Sequence, residues 1–120
     1  MAGDLARSQE LYESGRRLMD ERQFERAIEF FRESCSLGPH FKTLELEGEC
    51  LVMIGKSREA IVPLAAAATL NSGVRAISLL ADVYLTLGEF ERSKHFALEA
   101  LKRDSKNKLA LQILNTVAAD

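Results

Sequence analysis

The chain has 120 residues, 47% hydrophobic and 28% charged, with only 2 prolines and 7 glycines, a composition that folds and that excludes a disordered segment. Its formal net charge of −2 lacks the basic excess of a nucleic-acid binder. Met1 to Glu10 hold no apolar core of a signal peptide, and the longest apolar run, Ile61 to Ala68, is far short of the ~20 residues that span a bilayer; the expectation is a soluble, cytoplasmic protein with neither membrane nor nucleic acid as partner.

Hydrophobic periodicity predicts seven helices and no strand. The first, 5–21, sets Leu11, Gly15 and Leu18 on one face. The second, 24–37, stops at Gly38-Pro39, where glycine ends the helix and proline prevents its continuation. The third, 41–54, repeats the first pattern as Leu44, Gly48 and Leu51 and runs into Gly55. The fourth, 58–70, is expected to be capped by Ser57. It contains Pro63, which removes one backbone hydrogen bond, to the carbonyl of Glu59, and is expected to bend the helix rather than end it. The fifth, 74–87, with Ser72 as its candidate cap, places Ile77, Leu80, Ala81 and Tyr84 at i, i+3, i+4 and i+7. After Gly88 the sixth, 90–103, carries Phe90, Phe96, Ala97 and Ala100. The seventh, 107–118, carries Leu111, Leu114 and Ala118. Glu13–Arg17 and Glu99–Arg103 are read as i,i+4 pairs on exposed faces, and Glu45, Glu47 and Glu49 as a solvated acidic face.

These elements repeat. Ala27, Ala60 and Ser93 recur at an interval of 33 residues, as do Leu11, Leu44 and Ile77, and Leu18, Leu51 and Tyr84. Small residues (Gly15, Gly48, Ala81) occupy a further column and Phe31, Leu64 and Ala97 another. Small side chains let paired helices approach closely, and the large columns fill the space beside them. A single helix pair cannot bury its apolar face alone, so the units must stack.

Chemistry-bearing residues are sparse. Cys35 and Cys50 stand apart without a Cys-x-x-Cys spacing, and the bland reading is two partly buried thiols. His40 and His95 are the only histidines. No phosphate-binding glycine loop or paired metal-ligand spacing occurs. Neither catalysis nor a cofactor nor a metal is expected.

The columns resemble the tetratricopeptide repeat, a helix–turn–helix unit of about 34 residues. The resemblance covers residues 8–107, as units of approximately 8–40, 41–73 and 74–107, followed by a capping helix, 108–120, in a single domain 1–120. The first two units are one residue short, Arg22 replaces the turn glycine of the first, and Ser72 and Ser105 replace the closing proline. Ankyrin repeats share the 33-residue length, but their Thr-Pro-Leu-His signature is absent and two full helices fit each unit. The fold the resemblance implies is all-α, a right-handed solenoid of antiparallel helix pairs.

The resemblance also implies a concave groove lined by the first helix of each unit. Carried over column by column, its residues are Gln9, Tyr12, Glu13, Arg16, Met19 and Asp20, then Lys42, Glu45, Leu46, Glu49, Val52 and Met53, then Arg75, Ser78, Leu79, Asp82, Leu85 and Thr86. Several are apolar at places the core does not require, the mark of a contact surface. Acid at Glu45, Glu49 and Asp82 is framed by Arg16, Lys42 and Arg75, which suits a peptide with apolar side chains and a basic residue. Chaperone-binding relatives hold a terminal carboxylate with Lys, Asn, Asn, Lys and Arg. Here those columns hold Tyr12, Arg16, Leu46, Arg75 and Leu79, and only Arg75 keeps the chemistry, so binding of that type is not expected. The function read is a protein–protein interaction module, a scaffold or adaptor; the alternatives are self-association and a piece of a longer solenoid.

Overall fold

The computed structural model describes residues 2–118 and is helical throughout: α1 (Ala2–Asp20), α2 (Phe24–Leu37), α3 (Phe41–Met53), α4 (Ser57–Leu70), α5 (Arg75–Thr86), α6 (Phe90–Arg103) and α7 (Lys108–Ala118). Among the described residues there is no strand. The last part of the expected capping helix, residues 119–120, lies outside them. Packing is densest within α1/α2, α3/α4 and α5/α6 and next between consecutive pairs, giving an elongated stack of 50 × 26 × 20 Å. This is the all-α solenoid of stacked helix pairs.

The stack works because each repeated column does one physical job. A Cβ on Gly15 would sit 2.5 Å from Cε1 of Phe31, and one on Gly48 would sit 2.6 Å from Cγ of Leu64. In the third pair the same columns hold Ala81 and Ala97, both fully buried: as the facing residue shrinks, the small residue can grow. Ala27, Ala60 and Ser93 are fully buried as well. The hydroxyl of Ser93 is compensated, its Oγ donating to the Ala81 carbonyl at 2.7 Å. Ser34 and Ser8 likewise bind each other and the opposite backbone across α1 and α2. Two apolar clusters result, one centred on Phe31, Leu51, Leu64 and Leu80, the other on Ile77, Ala97, Ala110 and Ile113.

The turn inside each helix pair is also the same device three times. Arg22, Gly55 and Gly88 adopt φ of 61°, 80° and 77°. After each, the next N–H bonds back to the preceding helix: Gln23 to Leu18, Lys56 to Leu51 and Glu89 to Tyr84. This is the Schellman closure, whose left-handed residue is glycine in most proteins.

Several local expectations give way. Ser57 is the first helical residue of α4, not its cap; Lys56 holds the cap position without a side-chain bond. Ser72 does not cap α5, which starts at Arg75; Asn71 instead closes a tight turn by accepting from Gly73 N–H. His40 caps α3, its Nδ1 accepting from Lys42 N–H at 3.2 Å. Among the described residues the Glu13–Arg17 and Glu99–Arg103 pairs do not form. Glu13 accepts from Gln9, Glu99 from Lys102, and Arg103 reaches across to the carbonyl of Gly73 at 2.9 Å. Helix α4 runs unbroken through Pro63, which is buried.

Candidate functional site

The first helices of the pairs carry the candidate residues, and the structure divides most of them between two cavities. The larger, of about 550 Å³, lies where α1, α3 and α5 face one another. It collects Arg16 and Met19 from α1, Leu46, Glu49 and Met53 from α3, and Arg75, Leu79 and Asp82 from α5, together with Asp20 and Val52. The apolar members sit at the surface of the main core: Met19, Leu46, Val52 and Leu79 are half-buried against it, whereas Met53 is 50% exposed.

A second cavity of about 380 Å³ lies toward the amino-terminal end of α1 and takes Gln9, Tyr12 and Lys42, beside Leu5, His40 and Thr43. Tyr12 there packs its ring against Phe31 at 6.2 Å between centroids. Glu13, Glu45, Ser78, Leu85 and Thr86 line neither cavity. Glu13 faces solvent. Glu45 is only 7% exposed and Ser78 4%, and the Ser78 hydroxyl turns back to the carbonyl of Arg75. Leu85 packs on the second apolar cluster.

The acidic run of α3 is therefore no solvated face. Glu47 is buried and held by Arg32 Nε at 3.1 Å. Burial pushes the Glu45 carboxyl above its ordinary range, partly offset by the charges of Arg75, Lys42 and His40. Glu49 pairs with Arg75 across α3 and α5 inside the large cavity. Asp82 is different. Burial raises its carboxyl pKa too, yet among the described residues it enters no ion pair. The cavity thus presents one half-buried carboxylate whose countercharge is supplied by none of the described residues.

Three further residues line the large cavity and were not among the groove columns: Arg22, Phe24 and Leu64. Leu64 belongs to the core column of α4. Arg22 and Phe24 lie beyond the end of α1, with the Arg22 guanidinium 5.3 Å from the centroid of the Phe24 ring. The replacement of a turn glycine by Arg22 was the sequence signal available for them.

Neither thiol is set up as a nucleophile. Burial pushes Cys50 up to about 11 and raises Cys35 as well, which keeps both protonated at neutral pH. Among the described residues no group of His, Cys, Asp and Glu gathers in metal-binding geometry, and no helix is long and apolar enough to cross a membrane.

Comparison with known proteins places this architecture. The tetratricopeptide-repeat family model matches residues 74–107, and no curated protein sequence matches the chain. Among solved structures, the Arabidopsis OM64 TPR domain superposes with a TM-score of 0.91 at 15% identity, covering 97% of this chain and 98% of that one. The first TPR of Spaghetti (RPAP3), bound to the HSP90 peptide SRMEEVD, gives 0.90 at 18% identity over 95% and 92%. The second TPR domain of human RPAP3, in complex with the HSP70 peptide SGPTIEEVD, gives 0.86 at 20% over 98% and 97%. At such identities the likeness is one of fold. Residues 74–107 match the tetratricopeptide-repeat model, and from α1 to α7 the chain has the fold of the tetratricopeptide-repeat domains it resembles.

Proposed function

We propose that this chain is a protein-interaction module that receives a peptide segment of a partner in the cavity between α1, α3 and α5. The reading takes the chain as one domain, with units of approximately 8–40, 41–73 and 74–107 and a cap from residue 108, acting as a scaffold or adaptor without chemistry of its own. The RPAP3 domains, similar in fold, hold chaperone peptides, which supports a peptide as the class of ligand. It does not carry over their ligand. Tyr12, Leu46 and Leu79 offer no cation or amide to a terminal carboxylate, and Arg75 is already engaged by Glu49.

The observation that carries the reading is Asp82. A carboxylate set among Leu46, Val52 and Leu79 in a cavity of about 550 Å³ bears a desolvation cost that a ligand cation would offset. The segment that fits has one or two apolar side chains for the floor and a lysine or arginine for Asp82. The partner-binding residues are then Arg16, Met19, Leu46, Glu49, Met53, Leu79 and Asp82.

Fluorescence anisotropy with a labelled peptide of leucines and one lysine tests this. Micromolar binding is expected, weakened roughly tenfold by Asp82→Asn and by Met53→Glu, since a charge-assisted contact and a buried apolar contact are each worth about 1–2 kcal/mol. Binding of the leucine–lysine peptide no tighter than that of the same peptide with glutamine in place of lysine would refute it.

A further inference from the structure

The turn that closes α1 onto α2 carries an unexplained cost. Arg22 is the one non-glycine residue with positive φ among the described residues, at 61°. The equivalent turns closing α3 onto α4 and α5 onto α6 are made by Gly55 and Gly88 with the same hydrogen-bond closure. Left-handed backbone is unfavourable for any residue with a Cβ, and arginine lacks the short polar side chain that lets asparagine tolerate it. Nothing in the closure itself demands a side chain, since both other pairs do without one. What the side chain adds is its position: the guanidinium lies over the Phe24 ring and lines the same cavity as Asp82.

The electrostatics around it are unbalanced. Among the described residues neither Arg22 nor Arg16, the two cations at the α1 end of the cavity, enters an ion pair. Asp20 is the acid on that wall. At the α5 side, Arg75 is held by Glu49 and Asp82 is left over. The cavity therefore carries a cationic end at α1 and an anionic end at α5, with an apolar floor between. Stacking on Phe24 holds the planar guanidinium in place, which reduces the entropy lost when its donors engage a carboxylate.

We infer that Arg22 is a specificity-determining residue of the groove: it takes an acidic side chain of the same peptide whose basic residue meets Asp82. This rests on the peptide reading above and deepens it. The ligand is then a segment of mixed charge, with a glutamate or aspartate separated by apolar residues from a lysine or arginine. An extended segment advances about 3.3 Å per residue, so separations of two to four residues sample spans of about 7–13 Å.

The test compares the leucine–lysine peptide with otherwise identical peptides carrying one glutamate two, three or four residues from the lysine. Each is titrated against the wild-type chain, Arg22→Gly and Arg22→Lys. At one or more spacings the glutamate is expected to tighten binding to the wild type roughly three- to fivefold, the range of a partly exposed charge pair. Arg22→Gly is expected to lose that gain while binding the leucine–lysine peptide as before, with a thermal midpoint no lower than the wild type. Arg22→Lys, which keeps charge but not the fork, retains part of it. A glutamate that adds nothing at any spacing overturns the inference and leaves the peptide reading standing. So does Arg22→Gly that keeps the gain, or whose midpoint falls by many degrees, which would make Arg22 a structural residue of the turn. Failure of every peptide to bind overturns both.

Discussion

The first helices have two working faces with opposite tolerances. The inward face of α1, α3 and α5 meets the second helix of its own pair, with Gly15 against Phe31, Gly48 against Leu64 and Tyr84 stacked on Phe96. Its only polar groups are compensated ones such as Ser8, bonded to Ser34, and its volumes are matched pair by pair, Gly15 to Phe31 and Gly48 to Leu64. The groove face of the same helices, a quarter-turn or so away, carries Arg16, Glu49, Arg75 and Asp82 among half-buried apolar residues. One face is constrained by close packing, where a single methyl matters. The other touches the core only through half-buried residues such as Leu46 and Leu79, and there charge sits where packing alone would not put it.

That contrast is broken most severely at the inward column. Ala60 is fully buried between α3 and α4. Ala60→Glu would place an unpaired charge there, at a cost of about 3–5 kcal/mol, enough to unfold much of a domain of ordinary stability. Circular dichroism of the variant at 25 °C checks it; a melting curve matching the wild type would mean that the column is not where the two helices meet. Next comes Gly15→Ala. Its Cβ would sit 2.5 Å from the Phe31 ring, and overpacking of this kind costs about 1–3 kcal/mol. The comparison between pairs sharpens this. Combining Gly15→Ala with Phe31→Ala recreates the Ala81–Ala97 combination of the third pair. Phe31→Ala alone leaves a cavity and costs about 3–5 kcal/mol. In the double variant the methyl group added on α1 has no ring to clash with, so the two changes should cost less together than their sum by about 1 kcal/mol or more. Urea denaturation of the four proteins measures it, and strict additivity would show that the two residues do not share the space.

These predictions lean on what was legible in the sequence, and the pattern of what was not has a physical cause. All seven helices fall within a few residues of the expected ranges because the 33-residue interval reports each contact three times, so a chance apolar residue in one unit does not mislead. The same redundancy identifies Ala27, Ala60 and Ser93 as close-contact sites. Side-chain partners are reported once only. Ser57 and Ser72 have good capping chemistry, but the turns that precede α4 and α5 leave the first one position past the cap, at the first helical residue, and the second two residues before the cap position held by Val74. Glu99 prefers Lys102 because Arg103 finds the Gly73 carbonyl, a residue 30 positions away that no local pattern announces. Glu45 and Glu47 read as a solvated run because helical spacing says which residues share a face, not which neighbouring helix will cover it; α2 supplies Arg32 to Glu47. For the groove, the family columns indicate the surface but not its division into two cavities. Arg22 was visible as a departure from glycine, and its meaning needed the turn geometry.

On the groove face the expected effects are small, and the last has the opposite sign. Met53 is 50% exposed, so Met53→Glu should shift stability by no more than about 0.5 kcal/mol while it weakens binding; a thermal melt separates this from the inward-face variants. Asp82→Asn should stabilise the protein at neutral pH. Burial raises the folded-state pKa of Asp82 above its ordinary value of 3.8, so between the unfolded and folded values the folded chain binds more protons than the unfolded one. Stability then falls as pH rises through that window, and at pH 7 the folded state carries the full penalty of an ionised, half-buried carboxylate. Asparagine removes the ionisation and keeps the shape. The variant should therefore melt slightly higher than the wild type at pH 7, with the difference vanishing toward pH 3, where Asp82 is protonated in both states. Glu45 is raised for the same reason and contributes the same slope to both proteins, so it cancels in the difference. If Asp82→Asn instead melts lower at pH 7, the carboxylate is being stabilised by a partner within the fold, and the groove has no anion to offer a ligand.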